Sequence, residues 1–154
     1  MSAAHIRPPR HGEFFAPLPL AFVGLMVVND RWLKPVFHSW LTGKLSDIAI
    51  CFFLPLFVSE LLGILFAIAP NRRLWAGALA SAAVFAGLEV VDPLTHGAIR
   101  LLEAVAPYAG IHARFQMTSD WTDLGCLACI PGAVIYGRRR LTIGVRASDP
   151  IALR

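Results

Sequence analysis

Charged residues are scarce in this chain. Asp, Glu, Lys and Arg make up 16% of its 154 residues, whereas apolar residues make up 56%. An average soluble domain carries about 25% charged residues. The scarcity of charge therefore excludes an ordinary soluble domain, and we predict a single domain that buries its apolar surface mostly in lipid.

The common catalytic signatures are also absent. The sequence has no His-Glu-x-x-His pattern and no Ser-His-Asp order typical of a hydrolase. Gly43 and Lys44 look like the end of a phosphate-binding loop, but His38 stands where that loop needs its first glycine. The 14 Lys and Arg residues form no stripe with interleaved aromatics, so we expect no nucleic-acid partner. Catalytic residues, metal and cofactor stay unassigned.

Cysteine is rare, and its spacing predicts no metal or redox site. Cys126 and Cys129 form a C-x-x-C pair, but they fall inside a predicted membrane span, and Cys51 stands alone. Small apolar thiols at a helix interface explain this pattern better. Cys51 follows Asp47 by one helical turn and Cys126 follows Asp123 by about one turn, so the two cysteines would approach if their helices are neighbours.

Four apolar runs predict four transmembrane helices. About 20 apolar residues cross a hydrocarbon core of roughly 30 Å. The first run follows a basic region, as in a signal peptide, but no small-residue cleavage site comes after it, so we interpret it as an uncleaved span. Pro55 predicts a kink in the second span, and the Ala and Gly of the third favour close packing and leave a homo-oligomer open. The predicted spans are residues 14–28, 45–69, 74–91 and 121–137.

The connection between the third and fourth spans predicts a helix in the membrane interface. Ile99, Leu102 and Val105 share one helical face, and Pro107 and Gly110 would end the helix. The predicted fold class is therefore an all-α membrane protein of four transmembrane helices with an interfacial helix between the third and the fourth. Residues 1–13 predict a disordered N-terminus and residues 138–154 a basic tail.

The distribution of Lys and Arg predicts the orientation. Nine of these residues fall on the side that holds both termini and the connection between the second and third spans, and five fall on the other side. The excess favours a bacterial inner-membrane protein with both termini in the cytoplasm. Most of the acidic residues then fall on or near the outer face.

This convergence of titratable groups on one face is the best functional indication in the sequence. Lys34 and Lys44 would attract the anionic part of a ligand, while the carboxylates would orient hydroxyl or amine groups. The predicted ligand-binding residues are Asp30, Lys34, His38, Lys44, Ser46, Asp47, Glu89, Asp120 and Asp123.

A purely structural interpretation of the same residues stays open. Asp47, Asp120 and Asp123 lie at predicted helix N-termini, where carboxylates cap free amides and stabilise the helix dipole. Lys44 comes three residues before Asp47 and would pair with it.

Two further acidic residues lie within predicted spans, where a charge needs a partner. Glu89, late in the third span, has Lys44, His38 and Arg100 as candidates. Glu60 lies deeper in the second span and would serve either as a proton relay or as a partner of Arg72 and Arg73.

The motifs N-D-x-x-L-K, L-T-G-K-L-S-D and D-x-T-D-L begin at Asn29, Leu41 and Asp120. Together they resemble an uncharacterised family of small bacterial integral membrane proteins. More distantly, Glu89 late in one span and Asp123 at the start of the last are similar to VanZ-like membrane proteins, although the glutamine and asparagine expected around those acids are absent. The resemblance implies a location in the cell envelope and a link to glycopeptide resistance, without an implied reaction.

Three functions follow from these patterns. The first is binding of a membrane lipid or a lipid-linked envelope precursor by the predicted ligand-binding residues of the outer face. The second is metal-dependent hydrolysis of a lipid-linked substrate, with His38, Asp47, Glu89 and Asp123 around the ion. The third is a proton- or ion-coupled carrier that uses Glu60, although the internal repeats typical of many carriers are not evident.

Overall fold

The computed structural model describes residues 12–37, 39–110 and 120–146, and every regular element within these ranges is helical. The predicted all-α class is therefore confirmed for the described part of the chain. Most of the predicted disordered N-terminus, at residues 1–11, and the last part of the predicted tail, at residues 147–154, lie outside it.

The described ranges contain six α-helices in succession. A π-helical turn, Asn29–Leu33, joins the first to the second, and 3₁₀ helices cover Ala106–Ala109 and Trp121–Ala128. The α-helices are α1 (Pro17–Val28), α2 (Lys34–Phe37), α3 (Trp40–Leu65), α4 (Pro70–Val90), α5 (Asp92–Val105) and α6 (Cys129–Arg146).

Capping residues and prolines explain where several helices begin. Ser39 is the N-cap of α3, and its hydroxyl accepts a hydrogen bond from the Leu41 amide at 3.2 Å. Pro17 and Pro70 occupy the first turns of α1 and α4, where a missing amide hydrogen costs nothing. Ala69, before Pro70, has the extended ψ of 137° that a following proline favours.

Two helices in the described ranges, α3 and α4, are long and apolar enough to cross a membrane. Only 28% of the most apolar window of each is buried inside the molecule. A core helix of a soluble protein would be mostly buried, so the exposed apolar surface of these two helices fits a lipid environment better. With 12 residues, α1 is shorter than a usual span, and the count of four spans stays a prediction.

The helix at the second predicted span is shifted toward the N-terminus relative to the predicted span. Residues 45–69 were expected, but α3 runs from Trp40 to Leu65. The shift arises because the Ser39 cap starts the helix early, and because Phe66 is already extended on the way to the proline that starts α4. Lys44 and Asp47 therefore both lie inside α3, in its first two turns.

The fourth predicted span, residues 121–137, is not one continuous α-helix. A 3₁₀ helix occupies its first half, begun by a hydrogen bond of 2.8 Å from the Asp123 amide to the Asp120 carbonyl. Pro131 has no amide hydrogen to give to the Leu127 carbonyl, so the α-helical bond that would join the two halves is missing. At its other end α6 continues to Arg146, into the predicted basic tail.

The core forms where α3, α4 and α6 meet. Gly77 of α4 lies against the backbone of α3, since a Cβ there would stand 2.5 Å from the Pro55 carbonyl oxygen. Gly137 of α6 lies against the side chains of Leu74 and Leu56, which a Cβ there would meet at 2.8 and 3.0 Å. Helix α1 contacts α3 through the stacked rings of Phe22 and Phe52, whose centroids are 4.3 Å apart. The buried core residues are Cys51, Leu56, Leu74, Ala78, Phe85, Cys126, Ile130, Ala133 and Val134.

A helix is present where the interfacial helix was predicted. Helix α5 contains Ile99, Leu102 and Val105, and Gly110, with φ of 73°, follows the short 3₁₀ helix after it. Its location in a membrane interface stays a prediction.

Candidate functional site

A cavity of about 190 Å³ lies at the end of the bundle where α3 begins and α4 ends, here termed the cavity end. One wall comes from the first two turns of α3, and the other comes from the start of the 3₁₀ helix more than 70 residues later. The lining residues are Trp40, Gly43, Lys44, Asp47, Asp120 and Asp123. Four of these six were predicted from the sequence, and the packing of the core brings them together.

Lys44 pairs across the cavity with Asp123. Its ammonium forms an ion pair with the Asp123 carboxylate and donates to the Thr122 hydroxyl at 2.8 Å. The two side chains are only 10% and 15% exposed. The Lys44 nitrogen also lies 5.4 Å from the centroid of the Trp40 ring, within range of a cation–π contact. The predicted pair of Lys44 with Asp47 was wrong, because Asp123 reaches the ammonium from the facing element.

Asp47 is left without such a partner. Its side chain is half-buried and lines the cavity. Within residues 12–37, 39–110 and 120–146 it makes no hydrogen bond or ion pair, although Lys44, Lys34 and Glu89 lie near enough to interact with its charge. The carboxylate of Asp47 is therefore available to a ligand in the cavity.

Glu89 and Asp120 stabilise the backbone around the cavity. The Glu89 carboxylate accepts the Asp120 amide at 2.9 Å, so its partner is a backbone group and not the expected Lys44 or Arg100. Asp120 in turn caps the 3₁₀ helix by accepting the Thr122 amide at 2.9 Å. The amide and hydroxyl of Thr122 hold the pKa of Asp120 below its ordinary value. The structural interpretation thus fits Asp120 best.

A second polar network holds the π-helical turn against α3. The side-chain nitrogen of Asn29, which is fully buried, donates to the Ser46 hydroxyl at 2.8 Å and to the Thr42 carbonyl at 2.5 Å. Ser46 donates to Asp30 at 2.6 Å, and Asp30 pairs with Lys34 at 2.7 Å on the surface. The predicted site residues Asp30, Lys34 and Ser46 therefore belong to this network and do not line the cavity.

Glu60 lies toward the opposite end of α3. The Arg73 guanidinium donates to both oxygens of Glu13, at 2.9 and 3.0 Å, and lies 4.0 Å from Glu60. Of the two partners predicted for Glu60, Arg73 is confirmed, whereas Arg72 is exposed. This cluster ties the segment before α1 to α3 and α4, and it is separate from the cavity.

Several residues of the site were missed. Thr122 belongs to the D-x-T-D-L motif and Trp40 directly precedes the L-T-G-K-L-S-D motif, so their position in the sequence was an available signal. His38 lies outside the described residues, and its predicted role is not addressed by the structure.

One group of donor atoms could hold a metal ion. Asp47, Asp123 and Cys126 each offer one, and these three atoms all lie within 4.8 Å of one another. In the sequence, Cys51 and Cys126 each follow an aspartate by about one turn. The packing of the 3₁₀ helix against α3 brings Cys126 close to both Asp47 and Asp123.

The chain matches no family model, no curated protein and no solved structure in the three comparisons. The resemblance to VanZ-like proteins accordingly stays a prediction that depends on the sequence motifs.

Proposed function

We propose that this chain is a multi-pass protein of the bacterial inner membrane, with both termini in the cytoplasm, and that its cavity binds the polar head group of a membrane lipid or of a lipid-linked envelope precursor. The observation that carries the proposal is the unpartnered Asp47 carboxylate in a cavity at the mouth of two apolar helices. A ligand in this position could keep its head group on Asp47 and its acyl chains against the apolar surface of α3.

The charges around the cavity define the chemistry of the ligand. Its lining carries three carboxylates and one ammonium, and Asp123 already pairs with that ammonium. Lys34, the other predicted anion-binding residue, pairs with Asp30 outside the cavity. A head group that presents an amine or hydroxyl to Asp47 therefore fits better than one that presents only an anion.

The volume limits the size of the ligand. Pockets that enclose a drug-sized molecule usually measure about 300 to 1,000 Å³, and this cavity measures about 190 Å³. It accommodates a head group, while the remainder of the lipid would stay outside, in the bilayer.

Native mass spectrometry of the full chain, extracted from its own membrane in mild detergent, tests the proposal. We expect a retained lipid or envelope precursor on the wild-type chain and loss of most of it in Asp47→Asn. Glu103→Gln on the exposed face of α5 is a matched control, since it removes one negative charge away from the cavity. Equal retention by Asp47→Asn and wild type would contradict the proposal, as would a wild-type chain that retains nothing.

A further inference from the structure

The buried thiol of Cys126 lies close to two of the carboxylates that line the cavity, those of Asp47 and Asp123. We propose that Asp47, Asp123 and Cys126 bind a divalent transition-metal ion of the zinc class. This inference does not depend on head-group binding, and it uses a side chain, Cys126, to which the proposed function gives no role.

The 3₁₀ conformation of Trp121–Ala128 is what aligns two of the three donors. With three residues per turn, Asp123 and Cys126 lie directly above one another on the same face of that helix. In an α-helix the same spacing would turn the two side chains about 60° apart. Asp47 reaches the same point from α3, because Cys51 and Cys126 pack in one core cluster and hold the two elements together.

Cys126 distinguishes this group from a simple cluster of acids. It is 7% exposed, forms no disulfide, and has no hydrogen-bond partner among the residues that the structure describes. A structural role in capping the helix requires no thiol, whereas zinc binds thiolate and carboxylate together. Magnesium and calcium prefer oxygen ligands alone, so the donor set favours a transition metal.

The three donor atoms must move slightly closer together to bind a zinc ion. Donor atoms around a tetrahedral zinc ion stand about 3.5 Å apart, and the three atoms here lie within 4.8 Å of one another. The fourth position of the ion would face the cavity, since Asp47 and Asp123 both line it.

The charges of the site balance when a metal ion binds. The thiol of Cys126 gives its proton to water in the cavity, so that one thiolate and two carboxylates surround the divalent ion. Lys44 then releases the Asp123 oxygen to the metal and keeps its contacts with Thr122 and the Trp40 ring. With the Lys44 ammonium beside it, the occupied site is neutral overall, which limits the cost of placing these charges near lipid.

Titration of the full chain with Co²⁺, a spectroscopic substitute for Zn²⁺, tests this site. After treatment with a chelator, the purified protein in detergent should bind one Co²⁺ per chain, with the near-ultraviolet charge-transfer band of a cobalt–thiolate bond, and Zn²⁺ should abolish that band. Cys126→Ser should remove the band and weaken Zn²⁺ binding about tenfold or more. Asp47→Asn should weaken Zn²⁺ binding as well.

Cys129→Ser is the matched control, because Cys129 is a half-buried thiol one 3₁₀ turn further on and lies outside the group. It should leave both the band and the affinity unchanged. If Cys126→Ser fails to fold, as judged by gel filtration, Cys126→Ala takes its place.

The inference is overturned if wild type shows no band, if the band persists without the Cys126 thiol, or if Cys129→Ser abolishes it. A chain that retains lipid but binds no Co²⁺ would overturn the metal site and leave the proposed head-group function intact.

Discussion

Lys44 shows how a single charged residue shapes the cavity end. It lies inside a helix that is otherwise largely apolar, and it is 8% exposed. A buried ammonium is tolerated only when its charge and its hydrogen-bonding capacity are satisfied. Asp123, Thr122 and the Trp40 ring together provide this compensation. The same contacts remove Lys44 from the groups free to bind a ligand.

We expect Lys44→Met to lower the free energy of unfolding by about 3 kcal/mol, because it leaves the buried Asp123 carboxylate without its partner. The double variant Lys44→Met with Asp123→Asn should recover part of this loss, since it removes the orphaned charge. Equilibrium unfolding in detergent measures both.

Lys34→Met is the matched control, because the pair of Lys34 with Asp30 is 41% and 47% exposed. Its loss should cost less than about 1 kcal/mol. Strictly additive effects of the substitutions at Lys44 and Asp123 would contradict a direct pair between them.

At the scale of the helices, the contact between α3 and α4 positions the cavity. Gly77 lets the two backbones touch at Pro55 and Ser59. This contact fixes the end of α4 beside the beginning of α3, so that Glu89 reaches the Asp120 amide. The small residues predicted for close packing in the third span therefore do pack closely, at Gly77 and Ala78 in particular.

We expect Gly77→Ala to destabilise the protein by about 1 to 3 kcal/mol, because the new methyl group would force the two helices apart. The matched control is Gly132→Ala in α6, where a Cβ would meet nothing within 4 Å. That change should be neutral or slightly stabilising, since Ala favours a helix over Gly. Thermal unfolding of both variants in detergent checks the expectation, and equal effects would show that the close contact does not matter.

For the whole molecule, the proposed arrangement in a membrane is a prediction from apolar length and the distribution of basic residues. Helices α3 and α4 supply two segments of sufficient length and hydropathy. Arg138, Arg139 and Arg140 in α6 belong to the basic excess that favours cytoplasmic termini.

Reporter fusions test this arrangement. A fluorescent protein that folds only in the cytoplasm should be active when fused after Arg154, and alkaline phosphatase, active only outside the inner membrane, should be active when inserted after Gly110. The two reporters in exchanged positions serve as controls and should be inactive. The reverse pattern would contradict the proposed orientation.

The sequence by itself determined the all-helical class of the molecule and the polar residues of its cavity end. Apolar length and sparse charge are local quantities, so the all-helical character and two segments able to cross a membrane could be predicted without tertiary information. Polar residues such as Asp47 and Asp123 stand out for the same reason, because each adjoins an apolar run in a sparsely charged chain. Helix bounds were less accurate, since the Ser39 cap and Pro131 shifted or divided the predicted spans.

Only the tertiary structure decided which of these groups meet. Spacing along α3 favoured Asp47 as the partner of Lys44, but burial strengthens the contact with Asp123 from the facing helix, and this leaves Asp47 free. The hydrogen bond that the Asp120 amide donates to the Glu89 carboxylate likewise joins elements far apart in sequence. Such contacts depend on how α3, α4 and α6 pack against one another. The hydrophobic periodicity of a single segment carries no information about that packing.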